Sequence, residues 1–165
     1  MTTEGRAWVY GDSIDTDQLA PVESYKSLPP EEGMHLCLRA IDPHFAAGVR
    51  EGDVFVAGVN LGIGSSREQA PQFLKMLGIR AVLAKSFARI FYRNAMNLGL
   101  PVLICPDTDA IQNGDTLRVD PVGGTVEDLS TGKVLKCEPI PGHLMAMIAD
   151  GGLLPHLKKK LGKRA

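Results

Sequence analysis

The stretch Asn60-Leu61-Gly62-Ile63-Gly64-Ser65-Ser66-Arg67-Glu68-Gln69-Ala70-Pro71 sets two glycines, two serines and an arginine between a short apolar run and a helical pattern. Gly62 and Gly64 permit backbone torsions and close approaches closed to other residues. The helix that follows offers unpaired N–H groups and a partial positive charge, so the junction suits an anion and in particular a carboxylate. The same residues also satisfy a helix cap, because Ser65-x-x-Glu68 and Ser66-x-x-Gln69 both match the capping-box pattern. Capping and anion binding are compatible. Nucleotide binding is not supported: a dinucleotide fingerprint begun at Gly62 needs a third glycine where Arg67 stands, and a phosphate loop needs a Gly-Lys-Ser/Thr that is absent.

Elsewhere the chemistry-bearing residues are less organised. Asp12, Asp15 and Asp17 form an acidic trio, but their loop lacks the glycine and terminal glutamate of a calcium loop, so turn-forming or interface-bonding roles are expected and no metal is assigned. His35, His44, His143 and His156 share no ligand spacing. Cys37, Cys105 and Cys137 are odd in number and contain no CxxC pair, which leaves neither a disulfide framework nor a self-contained zinc or iron–sulfur site readable. Arg89 and Arg93 lie one turn apart on a helical pattern, where they form either a basic ridge for a partner or a simple exposed face.

These residues need elements to position them. Short apolar or alternating runs at Ala7–Tyr10, Val54–Val59, Ala81–Ala84 and Pro101–Ile104 read as strands. Between them Pro30–Ala40, Arg67–Leu77 and Ser86–Asn97 carry apolar residues at helical spacing, with Gly78 and Gly99 where helix-ending glycines belong. Thr116–Val119, Thr125–Asp128 and Val134–Cys137, separated by Pro-Val-Gly-Gly and Ser-Thr-Gly-Lys, predict an antiparallel meander. His143–Ala149 and Leu153–Leu161 predict a closing helical pair broken at Gly151-Gly152, with Lys158, Lys159 and Lys160 solvated near its end. The expected fold class is α/β, a mixed sheet flanked by helices with a C-terminal antiparallel meander, in one domain over residues 1–165.

Composition narrows the function classes. The 165 residues, 44% apolar but only 5% aromatic, suffice for one aliphatic core. A formal charge of −1 gives no whole-protein field for nucleic acid or a membrane surface. The opening residues hold no apolar signal stretch and no window approaches a membrane span, so a cytoplasmic chain is expected.

Asn60 to Val102, NLGIGSSREQAPQFLKMLGIRAVLAKSFARIFYRNAMNLGLPV, resembles the core of the small subunits of isopropylmalate isomerases and homoaconitases. Gly11–Pro21, GDSIDTDQLAP, resembles the opening motif of the same family, and Ile41–Pro43 and the ending GGLLPHLKKK extend the likeness over nearly the whole chain. The family is similar to the swivelling β/β/α domain of aconitase. The resemblance implies a partner, a large subunit whose [4Fe–4S] cluster binds the substrate hydroxyl and a carboxylate, while this chain closes over the substrate. It maps the catalytic base onto Ser65, the substrate-binding arginine onto Arg67 and an adjoining carboxylate contact onto Ser66. Proton abstraction beside a carboxylate builds charge on that carboxylate, which a cationic clamp in a closed site stabilises. A helix N-terminus supplies at most about 2 kcal/mol toward a serine alkoxide, so the isolated chain is expected to be inactive.

The chain departs from the family just after the opening motif. Isopropylmalate enzymes resemble Tyr-Leu-Arg-Thr there, whereas an ungapped alignment from Pro21 to Ile41 puts Ser24-Tyr25-Lys26-Ser27 at those positions. Ser24, Tyr25, Lys26 and Ser27 are therefore expected to meet the substrate, with Lys26 a point charge in place of a planar fork. Leu61 and Ile63 stand where Phe and Cys are common in relatives. The implied function is a hydro-lyase small subunit acting on a substituted malate, with isopropylmalate leading. A methylated malate or a homocitrate relative is the alternative substrate, and a catalytically silent binding subunit is the alternative of another class.

Overall fold

The computed structural model describes residues 2–162. Seven strands, β1 (Thr3–Val9), β2 (Val54–Val56), β3 (Ala81–Ala84), β4 (Val102–Ile104), β5 (Thr116–Asp120), β6 (Thr125–Asp128) and β7 (Val134–Lys136), form one sheet in the order β4-β3-β2-β1-β5-β6-β7. Strand β1 joins two halves of opposite character. Its Ala7–Val9 end pairs parallel with Val54–Val56, and its Thr3–Arg6 end pairs antiparallel with Thr116–Val119. The parallel half, β1 to β4, has the continuously buried strands of a sheet covered on both faces: every residue of β2 and β3 is buried. The meander β5-β6-β7 alternates, with Leu117, Val119, Val126 and Leu135 inward. Past β7, Glu138 N–H donates to Ile104 O, which curls the meander back onto β4.

Among the described residues eight α-helices flank the sheet: α1 (Thr16–Leu19), α2 (Val22–Lys26), α3 (Pro30–Gly33), α4 (Phe45–Gly48), α5 (Gln69–Leu77), α6 (Arg89–Asn97), α7 (Gly142–Ala149) and α8 (Leu153–Gly162). Helix α5 buries Ala70, Pro71, Phe73 and Leu74 and ends in a left-handed Gly78, as the sequence predicts. Lys158, Lys159 and Lys160 are exposed on α8. Beneath α4, Trp8, Tyr10, Phe45 and Phe55 pack edge-on or stacked, with centroids 5.2 to 5.8 Å apart. No helix among the described residues is long and apolar enough to cross a membrane.

Three expectations are corrected. The helix predicted over Pro30–Ala40 stops at Gly33, passes through a 3-10 turn at Met34–Leu36 and breaks at Leu38, which is left-handed with φ 63°. A tertiary contact overrides the helical pattern: a Cβ on Gly33 would stand 1.9 Å from Ser24 O, and Leu38 N–H donates to Gln18 O. The strand expected to Val59 ends at Val56 because Gly58 N–H donates to Gly11 O and Val59 N–H to Asp12 Oδ1, zipping two loops together. The helices expected from Arg67 and Ser86 begin at Gln69 and Arg89. At the first of these the N-cap is Glu68, which makes no side-chain capping bond, so neither Ser65 nor Ser66 caps α5.

Candidate active site

The two motifs singled out in the sequence meet beyond the C-terminal ends of β1 and β2. Gly62 N–H donates to Ile14 O at 2.7 Å, and Thr16 N–H donates to Ile63 O at 2.9 Å. The glycines are required by this docking. Gly62 has φ 87° and a Cβ there would lie 2.2 Å from Phe91 Cγ, while Gly64 has φ 112° and its Cβ would lie 2.9 Å from Thr16 Oγ1. The loop is thus pressed between α6 and α1, and Ser65 and Ser66 emerge exposed at its crest.

Asp15 caps α1 by accepting from Gln18 N–H, and Gln18 Oε1 accepts from Asp15 N–H in return, so one member of the acidic trio serves the turn. That cap sets Thr16 and Asp17 on the first turn of α1, facing the loop. Ser65 N–H donates to Thr16 Oγ1 at 3.1 Å, and the Thr16 and Ser65 hydroxyls are 3.3 Å apart. Ser66 is held through its carbonyl, which accepts from Asn94 Nδ2 at 3.2 Å. The backbone N–H groups of Ser66, Arg67 and Glu68 have no acceptor among the described residues, which leaves three donors in a row along the chain after Ser65.

Arg67 crosses back under the loop. Its Nη1 donates to Ala20 O at 3.1 Å and pairs with the Asp17 carboxylate, and its guanidinium lies 5.0 Å over the Tyr25 ring. Both polar contacts use Nη1, so its Nη2 and Nε donors have no protein acceptor among the described residues and suit a second carboxylate. With 19% of its side chain exposed, Arg67 is an anchored cation rather than a solvated one.

The predicted residues therefore divide. Ser65, Ser66, Arg67 and Tyr25 cluster with Thr16 and Asp17. Lys26 and Ser27 are exposed at the end of α2. Ser24 is turned away: it is fully buried and its hydroxyl donates to Pro21 O at 2.5 Å. In this arrangement Ser24 Oγ is spent on its own helix turn. A small recess of about 60 Å³ between α2 and α5, lined by Tyr25, Leu28 and Phe73 among others, opens beside it. Arg89 and Arg93 are exposed and line a separate groove of about 380 Å³ with Tyr92, Met96, Asn97 and Leu144. Thr16 is the member of this cluster that the sequence did not single out. Its only signal was its place inside the acidic opening motif.

No metal-ligating cluster of His, Cys, Asp and Glu exists among the described residues. Cys37 is buried and its thiol is pushed up by that burial, the opposite of what a thiolate ligand needs. Cys105 and Cys137 face one another, the pairing lowering the first and raising the second. This chain's residues therefore do not fit an iron–sulfur cluster.

Residues 41–107 match the model of the aconitase C-terminal domain. The chain is similar to the 3-isopropylmalate dehydratase small subunit 1 of Methanopyrus kandleri, with 49% identity over 98% of this chain and 95% of that one. It is also similar to the isopropylmalate/citramalate isomerase small subunit of Methanocaldococcus jannaschii, with 44% identity over 97% and 96%. A solved 3-isopropylmalate dehydratase structure from M. jannaschii superimposes with a TM-score of 0.93 at 43% identity, covering 100% of both chains. With that identity over nearly its whole length, with the glycine-serine-arginine loop and with the mixed sheet that carries it, the chain belongs to the 3-isopropylmalate dehydratase small-subunit family of aconitase-type hydro-lyases.

Proposed function

We propose that this chain, bound to its large subunit, interconverts 2-isopropylmalate and 3-isopropylmalate in leucine biosynthesis, with Ser65 as the proton-transferring group and Arg67 as the carboxylate clamp. The observation that carries the reading is the meeting of the two motifs: exposed Ser65 is bound to Thr16 of the opening motif, and Arg67 is anchored by Ala20 O and Tyr25. Names of relatives supply the substrate class.

The chemistry is a dehydration followed by a rehydration. Ser65 Oγ, in its ionised form, takes the proton from the carbon next to a carboxylate, the electron pair of that C–H bond forms the new C=C bond, and hydroxide leaves the neighbouring carbon. Water then adds back the other way round, with Ser65 returning the proton. Charge that develops on the carboxylate during proton removal falls on the free edge of Arg67 and on the Ser66, Arg67 and Glu68 amides. A [4Fe–4S] cluster held by the large subunit would supply a Lewis acid for the substrate hydroxyl. Shut against that partner, the exposed loop crest loses water, which strengthens each of these contacts.

Two observations bear on substrate breadth. The M. jannaschii relative's name joins isopropylmalate with citramalate, a methylated malate. Lys26 replaces a planar fork by a point charge at the end of α2. The test compares kcat/KM of the reconstituted complex for 2-isopropylmalate and for citramalate, in the wild type and in Lys26→Arg. The expected result is a preference for 2-isopropylmalate that grows by about tenfold in the variant. A complex that prefers citramalate, or that turns over neither diacid, contradicts the reading.

A further inference from the structure

A serine is a poor base unless its ionised form is stabilised, and the helix that follows Ser65 contributes little, because it starts four residues further on at Gln69. Ser65 spends its own amide on Thr16 Oγ1 at 3.1 Å, so that N–H cannot serve an oxyanion elsewhere. Among side chains, the group against Ser65 Oγ is the Thr16 hydroxyl, 3.3 Å away, a separation common in sites before substrate closes them. We propose that Thr16 is the positioning residue for Ser65, fixing the serine through its amide and donating its hydroxyl proton to Ser65 Oγ when that oxygen carries negative charge. The inference rests on the reading of Ser65 as the base.

Four features point to this role. Thr16 is 1% exposed, so its hydroxyl is shielded from bulk solvent. Having accepted the Ser65 amide, it still holds one proton, and Ser65 Oγ is the only side-chain acceptor in reach among the described residues. An ionised Ser65 can only accept, which fixes the direction of the bond. The donor is also held rigidly: Thr16 N–H is tied to Ile63 O at 2.9 Å, its β-branched side chain restricts χ1, and Gly64 presents no side chain at the place where a Cβ would sit 2.9 Å from Thr16 Oγ1. A hydrogen bond to a charged group in a closed site is among the stronger kinds.

The experiment uses the full complex with the large subunit and measures kcat and KM for 2-isopropylmalate from neutral to alkaline pH. The variants are Thr16→Val, Thr16→Ala, Thr16→Ser and Ser65→Ala. Thr16→Val is expected to lower kcat by about 10- to 100-fold with KM little changed, and to move the rising limb of the pH–kcat profile to higher pH, because the ionised serine has lost a donor. Thr16→Ala, which removes the hydroxyl without setting a methyl against Ser65, is expected to show the same split and shift even if the valine variant folds poorly. Thr16→Ser should restore most of the rate and return the profile. If Ser65→Ala is inactive while Thr16→Val and Thr16→Ala keep kcat, or lose it with no pH shift, the inference about Thr16 is overturned on its own. A Ser65→Ala complex that keeps its rate overturns the base reading and the proton-donating role with it.

Discussion

The guanidinium of Arg67 lies 5.0 Å over the ring of Tyr25, so a residue from the glycine-serine loop is seated on one from the helix that follows the opening motif. Cation–π contacts of this kind contribute about 0.5–2 kcal/mol, and here the contact helps to hold Arg67 while its Nη2 and Nε edge stays free. Tyr25→Leu is therefore expected to raise KM for 2-isopropylmalate by about 2- to 30-fold, with a smaller change in kcat. Steady-state kinetics of the reconstituted complex check this. Unchanged KM would show that the Nη1 contacts to Ala20 O and Asp17 hold Arg67 unaided.

Ser65→Ala separates chemistry from folding. Because Glu68, not Ser65, is the N-cap of α5, and because Ser65 is exposed, the substitution removes no helix cap. The expected outcome is loss of turnover with the melting temperature of the isolated chain within about 2 °C of wild type. Thermal denaturation beside the activity assay is the check, and a fall of several degrees would restore a structural role for the serine.

Asp128 gives the chain a pH dependence unrelated to the active site. It is buried, its Oδ2 meets no hydrogen-bond donor such as an amide or hydroxyl among the described residues, and burial followed by the neighbouring Asp115 carboxyl raises its pKa above the ordinary carboxylate value. A raised folded value means that its neutral form is favoured on folding: the contribution is fully present below the unfolded value near about 3.9 and is lost as pH rises through the folded value. Asp128→Asn keeps the group neutral at every pH. The variant is expected to melt about 2–4 °C above wild type at neutral pH, with the gap closing toward acid. A constant difference across pH would contradict this.

Legibility in the sequence followed the range of the forces involved. Strands β3 and β6 lie where the sequence places them, at Ala81–Ala84 and Thr125–Asp128, because continuous apolar burial in one case and Gly-bounded alternation in the other are local signals. The start of α5 was not legible. Two capping boxes match the pattern around Ser65 and Ser66, yet Ser65 N–H is taken by Thr16, 49 residues earlier in the chain, and the helix begins only after Arg67 has turned to reach Ala20 O. The inward turn of Ser24 was not legible for a similar reason. An ungapped alignment gives a position but not a direction, and the Ser24 side chain turns inward to Pro21 O.

The central claim is that this chain supplies Ser65 and Arg67 to a site completed by a cluster-bearing partner. The most direct measurement is turnover of 2-isopropylmalate, under anaerobic conditions, by the purified chain, by the large subunit and by their mixture, with iron determined in each. The account predicts no iron and no turnover in the chain alone, turnover in the mixture, and its loss when the chain carries Ser65→Ala or Arg67→Ala. Turnover by the chain alone without iron, or a mixture that stays active with either variant, would contradict it.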